Sequence, residues 1–298
     1  MGVPMILTHI AKREEPLKNC LTRELQISST LLKRLKYASA IRVDGKTVQI
    51  NHLLLPGQRI DLDLDAAEQP CDVLPEAGEL VILYEDAALL AVCKPRGMLT
   101  HPSHGRSTGT LLGRVLAHTP HAHAVNRLDR DTTGVVLFAK NAYVQDRVVI
   151  EQKVYTALAW GRFEQAWGTV DASIGRMDSL QEGSLLPTMK RTVGEGKPAV
   201  THYAVERVRM LHATPCSRLR LYPQTGRTHQ LRVHCASLGH PLLGDRLYGT
   251  AESAALSEQL ALPGHLLHAG MLRFCHPITG ETVSVQCEDD FETLLADR

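Results

Sequence analysis

Asp129 stands between Arg127 and Arg130, just before an apolar run, in the segment from His121 to Asn141. A carboxylate beside fixed guanidinium groups stays ionised at neutral pH, which makes it available as a nucleophile or as a stabiliser of developing positive charge. Asp and Arg pairs at strand entrances also serve as plain structural salt bridges, and spacing alone does not separate the two uses. Further along the chain, Arg227, His229 and Arg232 gather at the start of a predicted helix. Free backbone N–H groups there favour anions, so phosphate is the natural ligand of that cluster.

The elements that must hold these residues follow from periodicity. Val135 to Ala139 has the length and branching of a central strand, and the polar turn Asp131-Thr132-Thr133-Gly134 delivers Asp129 to its entrance. Leu80 to Asp86 and Leu89 to Cys93 read as a hairpin, after which Lys94 leaves the sheet as a surface lysine within reach of a phosphate. Residues 100–109 form a loop leading to the helical Leu111 to Ala117. Ala142 to Gln152 reads as a helix, and Lys153 to Gly161 as an alternating strand on which Tyr155 shares a face with Lys153 and Ala157. Residues 171–200, with Arg176, Lys190, Arg191 and Lys197, form a long excursion bearing short strands, before the strand Ala199 to Val208. Nothing in Gly194-Glu195-Gly196-Lys197 has the spacing of a phosphate-cradling P-loop.

Near the N-terminus, Leu17, Leu21 and Leu25 fall at helical spacing. Ser28 and Ser29 cap a second helix carrying Leu31, Leu32 and Leu35 inward and Lys33, Arg34 and Lys36 outward. Ile41 to Val48 contains an Asp-Gly turn between two strands, a strong hairpin signal. This gives a basic module over residues 12–65, an acidic linker over 66–78 and a larger module over 79–298. The overall class is α+β, mixed in its elements.

The chain has 298 residues and is 44% hydrophobic, enough for a sizeable core. No apolar run approaches the roughly 20 residues needed to span a bilayer, and Met1 to Ile10 lacks the regions of a secretory signal, so a cytoplasmic protein is expected. The 7 cysteines are widely spaced without a Cys-x-x-Cys pair, which predicts reduced thiols, no disulfide framework and no zinc site. His118, His121 and His123 have no partner at ligand spacing, and no metal is expected. The net charge of +1 conceals segregation: Ala11 to Lys46 holds nine Lys or Arg against four acids, whereas Asp61 to Asp86 holds nine acids and no base. Such asymmetry predicts a localised basic face for phosphates.

The run Arg127-Leu128-Asp129-Arg130-Asp131-Thr132-Thr133-Gly134 resembles the signature of the RluA type of RNA pseudouridine synthase, with Asn126 and Thr133 where histidine and serine are usual. Lys94-Pro95-Arg96-Gly97, Lys153-Val154-Tyr155-Thr156-Ala157, the segment Thr225 to Arg232, Gly239 to Gly249, Leu267-His268-Ala269 and His276-Pro277 resemble further motifs of that family in the same order. The likeness spans about residues 80–287. The N-terminal order of elements is similar to the small RNA-binding module called the S-four domain.

The resemblance implies a large, mainly antiparallel central sheet and an enzyme that cleaves a uridine's glycosidic bond and rejoins the uracil through carbon 5, without cofactor or metal. It implies Asp129 as nucleophile, Arg227 as its ion-pair partner, Leu231 as a pocket wall, Arg127 as the residue filling the space left by the flipped nucleotide, and Tyr155 as the residue stacking on the base. Arg130, His229 and Arg232 join the substrate-binding set, and Lys33, Arg34 and Lys36 bind RNA through the N-terminal module. Tyr155 can also be the base for the carbon 5 proton, the role favoured here, provided that nearby Arg227 lowers its pKa. Ribosomal RNA is the expected partner, transfer RNA the second choice, and the protein is expected to be a monomer away from membranes. Two rivals stand beside this reading. A nucleoside hydrolase would need a second carboxylate, for which Asp131 is the near candidate. A non-catalytic ribosome-assembly factor would have no reason to keep Asp129, Tyr155 and Arg227 together.

Overall fold

The computed structural model describes residues 5–69, 71–103, 108–176 and 191–296. Residues 104–107 of the expected loop and 177–190 of the expected excursion, Lys190 among them, lie outside the described residues.

The N-terminal module comprises β1 (Ile6–Ile10), β2 (Glu15–Pro16), α1 (Leu17–Arg23), α2 (Ser29–Tyr37), β3 (Ile41–Val43), β4 (Lys46–Thr47), β5 (Leu53–Leu54) and β6 (Arg59–Asp63). Its four-stranded sheet has the order β1-β6-β3-β4, so the module begins before residue 12, at a strand whose partner lies more than fifty positions later. The Ser28 hydroxyl caps α2 by accepting the Leu31 N–H at 3.2 Å. Leu31, Leu32 and Leu35 are buried, while Lys33 and Lys36 are exposed and Arg34 is half-buried, as helical spacing requires. Asp44 and Gly45 both take positive φ, the geometry of a tight hairpin turn.

The larger module continues with β7 (Val81–Glu85), β8 (Leu89–Lys94), α3 (Leu111–His118), β9 (His123–Ala124), β10 (Thr133–Ala139), α4 (Ala142–Gln145), β11 (Val149–Trp160) and β12 (Trp167–Asp171). There follow β13 (Ile174–Arg176), β14 (Arg191–Val193), β15 (Val200–Leu211), β16 (Thr214–Pro223), α5 (Gln230–Ser237), α6 (Ala251–Gln259), β17 (Leu267–Cys275), β18 (Thr282–Gln286) and α7 (Phe291–Leu295). A 10-stranded sheet runs β12-β15-β16-β11-β17-β10-β8-β7, with β18 added to β17 and β9 to β10. Its recorded pairings are antiparallel except that between β10 and β17, which bears out a mainly antiparallel sheet. The helix expected over Ala142 to Gln152 stops at Gln145, because the branched residues that follow join β11, with Val149 and Ile150 opposite Cys275 and Phe274.

Strands β8 and β10 are buried on both faces. Leu90, Val92, Val136 and Phe138 pack under α3, whereas Leu89, Ala91, Val135, Leu137 and Ala139 belong to one apolar cluster with Leu17, Leu21, Leu35 and Leu62 of the N-terminal module. Residues 66–78, expected as a linker, are tied down. The Glu68 carboxylate, 1% exposed, accepts from His123 at 2.8 Å and from the Ala142 N–H at 2.7 Å. Glu76 accepts the Gly109 N–H, and its own N–H donates to the Gly113 carbonyl at 2.9 Å. Arg147 donates to the carbonyls of Leu25 and Gln26 across the same junction.

Candidate active site

Asp129 sits in the turn that enters β10, and its placement depends on two neighbouring strands. The parallel pairing sets Thr133 opposite His268 and Gly134 opposite Ala269, and Ala269 is in turn opposite Tyr155 of β11. The turn, Ala269 and Tyr155 therefore lie in line across three strands. A Cβ on Gly134, whose φ is +110°, would come within 2.3 Å of the Ala269 carbonyl oxygen. Only glycine allows this approach.

Two threonines of the turn are fixed by histidines, His268 on β17 and His265 just before it. Thr133 Oγ1 lies 2.7 Å from His268 Nδ1, and His268 Nε2 lies 2.8 Å from the Cys287 carbonyl, which can only accept. Nε2 must therefore carry the proton, and Nδ1 accepts from the threonine hydroxyl. Thr132 Oγ1 lies 2.7 Å from His265 Nε2. Burial pushes the His265 imidazole down to about 4 and also lowers that of His268, so both rings are neutral supports.

Lys94 differs from the expected surface lysine. It is fully buried and donates to the carbonyls of Pro95, Met98 and Arg130 at 2.9, 2.7 and 2.8 Å. Burial pushes its pKa down to about 7, against the pull of Asp131 and Asp129. Three carbonyls need three donors, which only the ammonium form supplies, so we assign the charged form in place. Arg130, expected to frame Asp129, instead turns its guanidinium to Asp131 at 3.1 Å.

The ion-pair partner of Asp129 is Arg232, not Arg227. Arg232 Nη1 donates to Asp129 Oδ2 at 3.0 Å, while Nε and Nη2 grip Asp245 at 2.7 and 2.8 Å. Arg232 lies in the first turn of α5 with its side chain directed inward, 9% exposed, and the Asp245 side chain is fully buried. Burial opposes its charge, but the hydrogen bonds and charge of Asp245, then of Asp129, outweigh it and raise the guanidinium pKa further. Arg227 precedes the helix, where Gln230 Oε1 holds its N–H, and its Nε donates to the Pro198 carbonyl at 3.0 Å.

His229 caps α5 in the left-handed region, φ 58°, an uncommon conformation for a residue with a side chain. Its Nδ1 is 2.8 Å from the Tyr248 hydroxyl, and its Nε2 is 3.8 Å from Asp129. The Tyr248 oxygen also accepts the Arg191 N–H at 2.9 Å. Tyr248 thus points its proton at Nδ1, leaving Nε2–H to face Asp129. Burial lowers the His229 pKa, in keeping with a neutral ring.

The Asp129 charge also acts on the nearby Tyr155. Tyr155 is half-buried and packs against one cluster that includes Leu231 and another that includes Leu128. Burial and then the charge of Asp129 push its phenol above the ordinary value, the reverse of the shift that a base would need. Arg127 is exposed at the rim. Among the described residues, Asp129 Oδ1 has no hydrogen-bond partner.

The expectation of reduced thiols also changes. Cys93 and Cys287, 194 positions apart, are joined in a disulfide with their Cα atoms 6.5 Å apart. Sheet order brings them together, which no local spacing could reveal. Among the described residues, His9, Cys20 and Glu24 of the N-terminal module lie close enough to share a metal. His9 and Glu24 are already paired at 2.8 Å, and burial pushes the Cys20 thiol up to about 11, which disfavours the thiolate.

Asp129, held through one oxygen by Arg232, thus stands near the aromatic side chain of Tyr155 on a mainly antiparallel sheet. Residues 88–237 match the family described as RNA pseudouridylate synthase. The chain is 38% identical over 257 residues to an uncharacterized RNA pseudouridine synthase of Bacillus subtilis strain 168, YhcT, covering 82% of this chain and 79% of that protein. It is 34% identical over 292 residues to ribosomal large subunit pseudouridine synthase D of Haemophilus influenzae, covering 91% and 86%. Among solved structures, human RNA pseudouridylate synthase domain containing 1 aligns with a TM-score of 0.59 at 30% identity, over 74% of this chain and 89% of that one. The chain belongs to the RNA pseudouridylate synthase family, in its RluA type, and is an RNA pseudouridine synthase, an isomerase.

Asp129, Tyr155, Arg227 and Arg232 fall inside the matched region. Asp245, Tyr248, His265 and His268 fall outside it and were not singled out from the sequence. Asp245, Tyr248 and His268 do lie in the motifs quoted after Gly239 and at Leu267-His268-Ala269, so the signal was present there without a role.

Proposed function

We propose that the chain isomerises uridines in large-subunit ribosomal RNA, with Asp129 as the nucleophile. The observation that carries this is that Arg232 fixes one oxygen of Asp129 while Oδ1 has no partner among the described residues, near Tyr155 and the apolar cluster with Leu231. The N1–C1′ bond breaks, a C1′–C5 bond forms, the carbon 5 proton leaves and N1 takes up a proton. Atoms and charge balance without a redox partner, which supports a reaction free of cofactor. Arg232 orients Asp129, and its own charge is anchored by Asp245. Leu231 and Leu128 exclude water around the detached uracil, and Tyr155 provides a face on which it stacks, a contribution of about 1–3 kcal/mol for a base on an aromatic ring. With its phenol raised, Tyr155 acts through its ring.

A target inside folded RNA must be flipped out, at a cost of a few kcal/mol, and exposed Arg127 fills the vacated stack. Lys33, Arg34 and Lys36 present a basic helix face to the same RNA, as an S-four-like module would. Ribosomal RNA is favoured over transfer RNA because the Haemophilus influenzae relative is named for the large ribosomal subunit. We infer a monomer acting in the cytoplasm; among the described residues no helix is long and apolar enough to cross a membrane.

Pseudouridine mapping in cells with and without the gene should show sites lost from large-subunit RNA; loss confined to transfer RNA would refute that substrate. In vitro, Asp129→Ala should form no pseudouridine while RNA affinity stays within about tenfold, since phosphate contacts elsewhere carry most of the binding. Measurable turnover by Asp129→Ala would sink the nucleophile assignment, and release of free uracil by the wild type would point to a hydrolase.

A further inference from the structure

A cavity of about 250 Å³ is lined, among the described residues, by Ile174, Arg191, Lys197, Gly226, Arg227 and Thr228. Three of these side chains are cationic and none is acidic. We propose that this cavity is a second RNA-binding subsite, which holds a backbone phosphate flanking the flipped uridine. The inference rests on the pseudouridine synthase activity and goes beyond it in giving Arg191, Lys197 and Arg227 one shared ligand.

Each cation is delivered by backbone that is itself fixed. Lys197 and Ile174 exchange two backbone hydrogen bonds, at 3.0 and 3.1 Å. Behind that exchange, a Cβ on Gly196 would come within 2.2 Å of the Ile174 carbonyl oxygen, so the two segments are in the closest contact backbone allows. The Arg191 N–H is held by Tyr248. Arg227 spends Nε on the Pro198 carbonyl, which leaves its two terminal nitrogens without a partner among the described residues. The Nε of Arg191 is buried and likewise has no partner among the described residues. A phosphate oxygen would give the terminal nitrogens of Arg227 charge-assisted hydrogen bonds. Lys153 adds a fourth positive group, since a Cβ on Gly226 would lie 3.8 Å from its Nζ.

The location decides which anion. Arg191 contacts Tyr248, Tyr248 contacts His229, and His229 faces Asp129 at 3.8 Å, while Arg227 precedes His229 by two residues. A uridine seated over Asp129 therefore carries its own backbone past this cavity. A phosphodiester there would fix the sugar, whereas Asp129 and Arg232 act on the glycosidic bond.

The test uses a synthetic RNA hairpin around a uridine that the wild-type protein converts, so a negative result counts against the subsite and not against the activity. Arg191→Gln, Lys197→Gln and Arg227→Gln should each raise KM by about tenfold with kcat within about twofold, as expected for loss of a charge-assisted contact outside the reacting atoms. An uncharged methylphosphonate at one of the two linkages flanking the uridine should raise the wild-type KM by a similar factor. In the Arg191→Gln, Arg227→Gln double variant the same replacement should add nothing. Losses that multiply at both linkages would overturn the proposal, as would substitutions that lower kcat and leave KM unchanged.

Discussion

Arg232 holds two carboxylates of unequal exposure, and that inequality sets its task. Asp245 is wholly enclosed and takes two of its donors, while Asp129 is partly open and takes one. Arg232→Gln would leave Asp245 as a buried charge without its partner, which costs about 3–5 kcal/mol. Arg232→Lys keeps the charge but cannot fork between the two, because an ammonium lacks the planar geometry. Single-turnover rates should therefore fall at least about a hundredfold in Arg232→Lys, as for loss of a positioned charged donor, with Arg227→Gln keeping its rate at saturating RNA. A wild-type rate in Arg232→Lys would show that another group orients Asp129. At this scale Asp129 was legible in the sequence, because the polar turn and apolar strand around it are local. Which arginine meets it was not, since Arg227 and Arg232 belong to one short segment and differ only in which lies inside the helix and turns inward. Lys94 was misread because a lysine is almost never fully buried unless paired, and its acceptors are backbone carbonyls, two of them local and the third at Arg130.

Two strands set the site's rigidity, and their crossing is narrow. β10 runs parallel to β17 for only Thr133 and Gly134, after which β9 takes over the same edge of β10 and β18 takes over that of β17. Gly134 is thus the point where the two halves of the sheet touch most closely. Gly134→Ala must displace the Ala269 backbone and adopt a strained φ, a combined cost of about 2–4 kcal/mol. The displacement would pull Thr133 away from His268 and shift the Asp129 turn, so kcat should fall by more than the melting temperature alone accounts for. Equal activity per folded molecule would mean that the turn tolerates a wider crossing. Long elements such as β10, β11 and α2 were legible because burial on one or both faces repeats along them. The pairs β2–β5 and β9–β10 are two-residue contacts that only tertiary packing creates, and the helix after Asn141 was overextended because strand pairing claimed its branched residues.

For the molecule as a whole, the sequence suggests a removable basic module on a flexible tether, whereas the packing is that of one body. The apolar cluster that begins at Leu17 and Leu35 continues without a break into Leu89, Val135, Leu137 and Phe274 of the central sheet. Glu68 and Arg147 cross-link the junction with hydrogen bonds to both backbone and side chain. The acidic composition of residues 66–78 looked like a solvated tether because the partners of its carboxylates lie some thirty to seventy positions away. Removing residues 1–66 would bare that face of β8 and β10, and exposing a large apolar side chain costs about 1.5–3 kcal/mol each. A handful of such losses equals the roughly 5–15 kcal/mol by which folded proteins are stable. The truncated chain should therefore show no cooperative melting near that of the full chain, together with increased binding of a hydrophobic dye. Its loss of RNA binding would then say nothing about Lys33, Arg34 and Lys36, whose role must be read from glutamine substitutions in the full-length protein. A truncated chain that melts cooperatively at the full-length temperature would show that the sheet stands without its N-terminal cover.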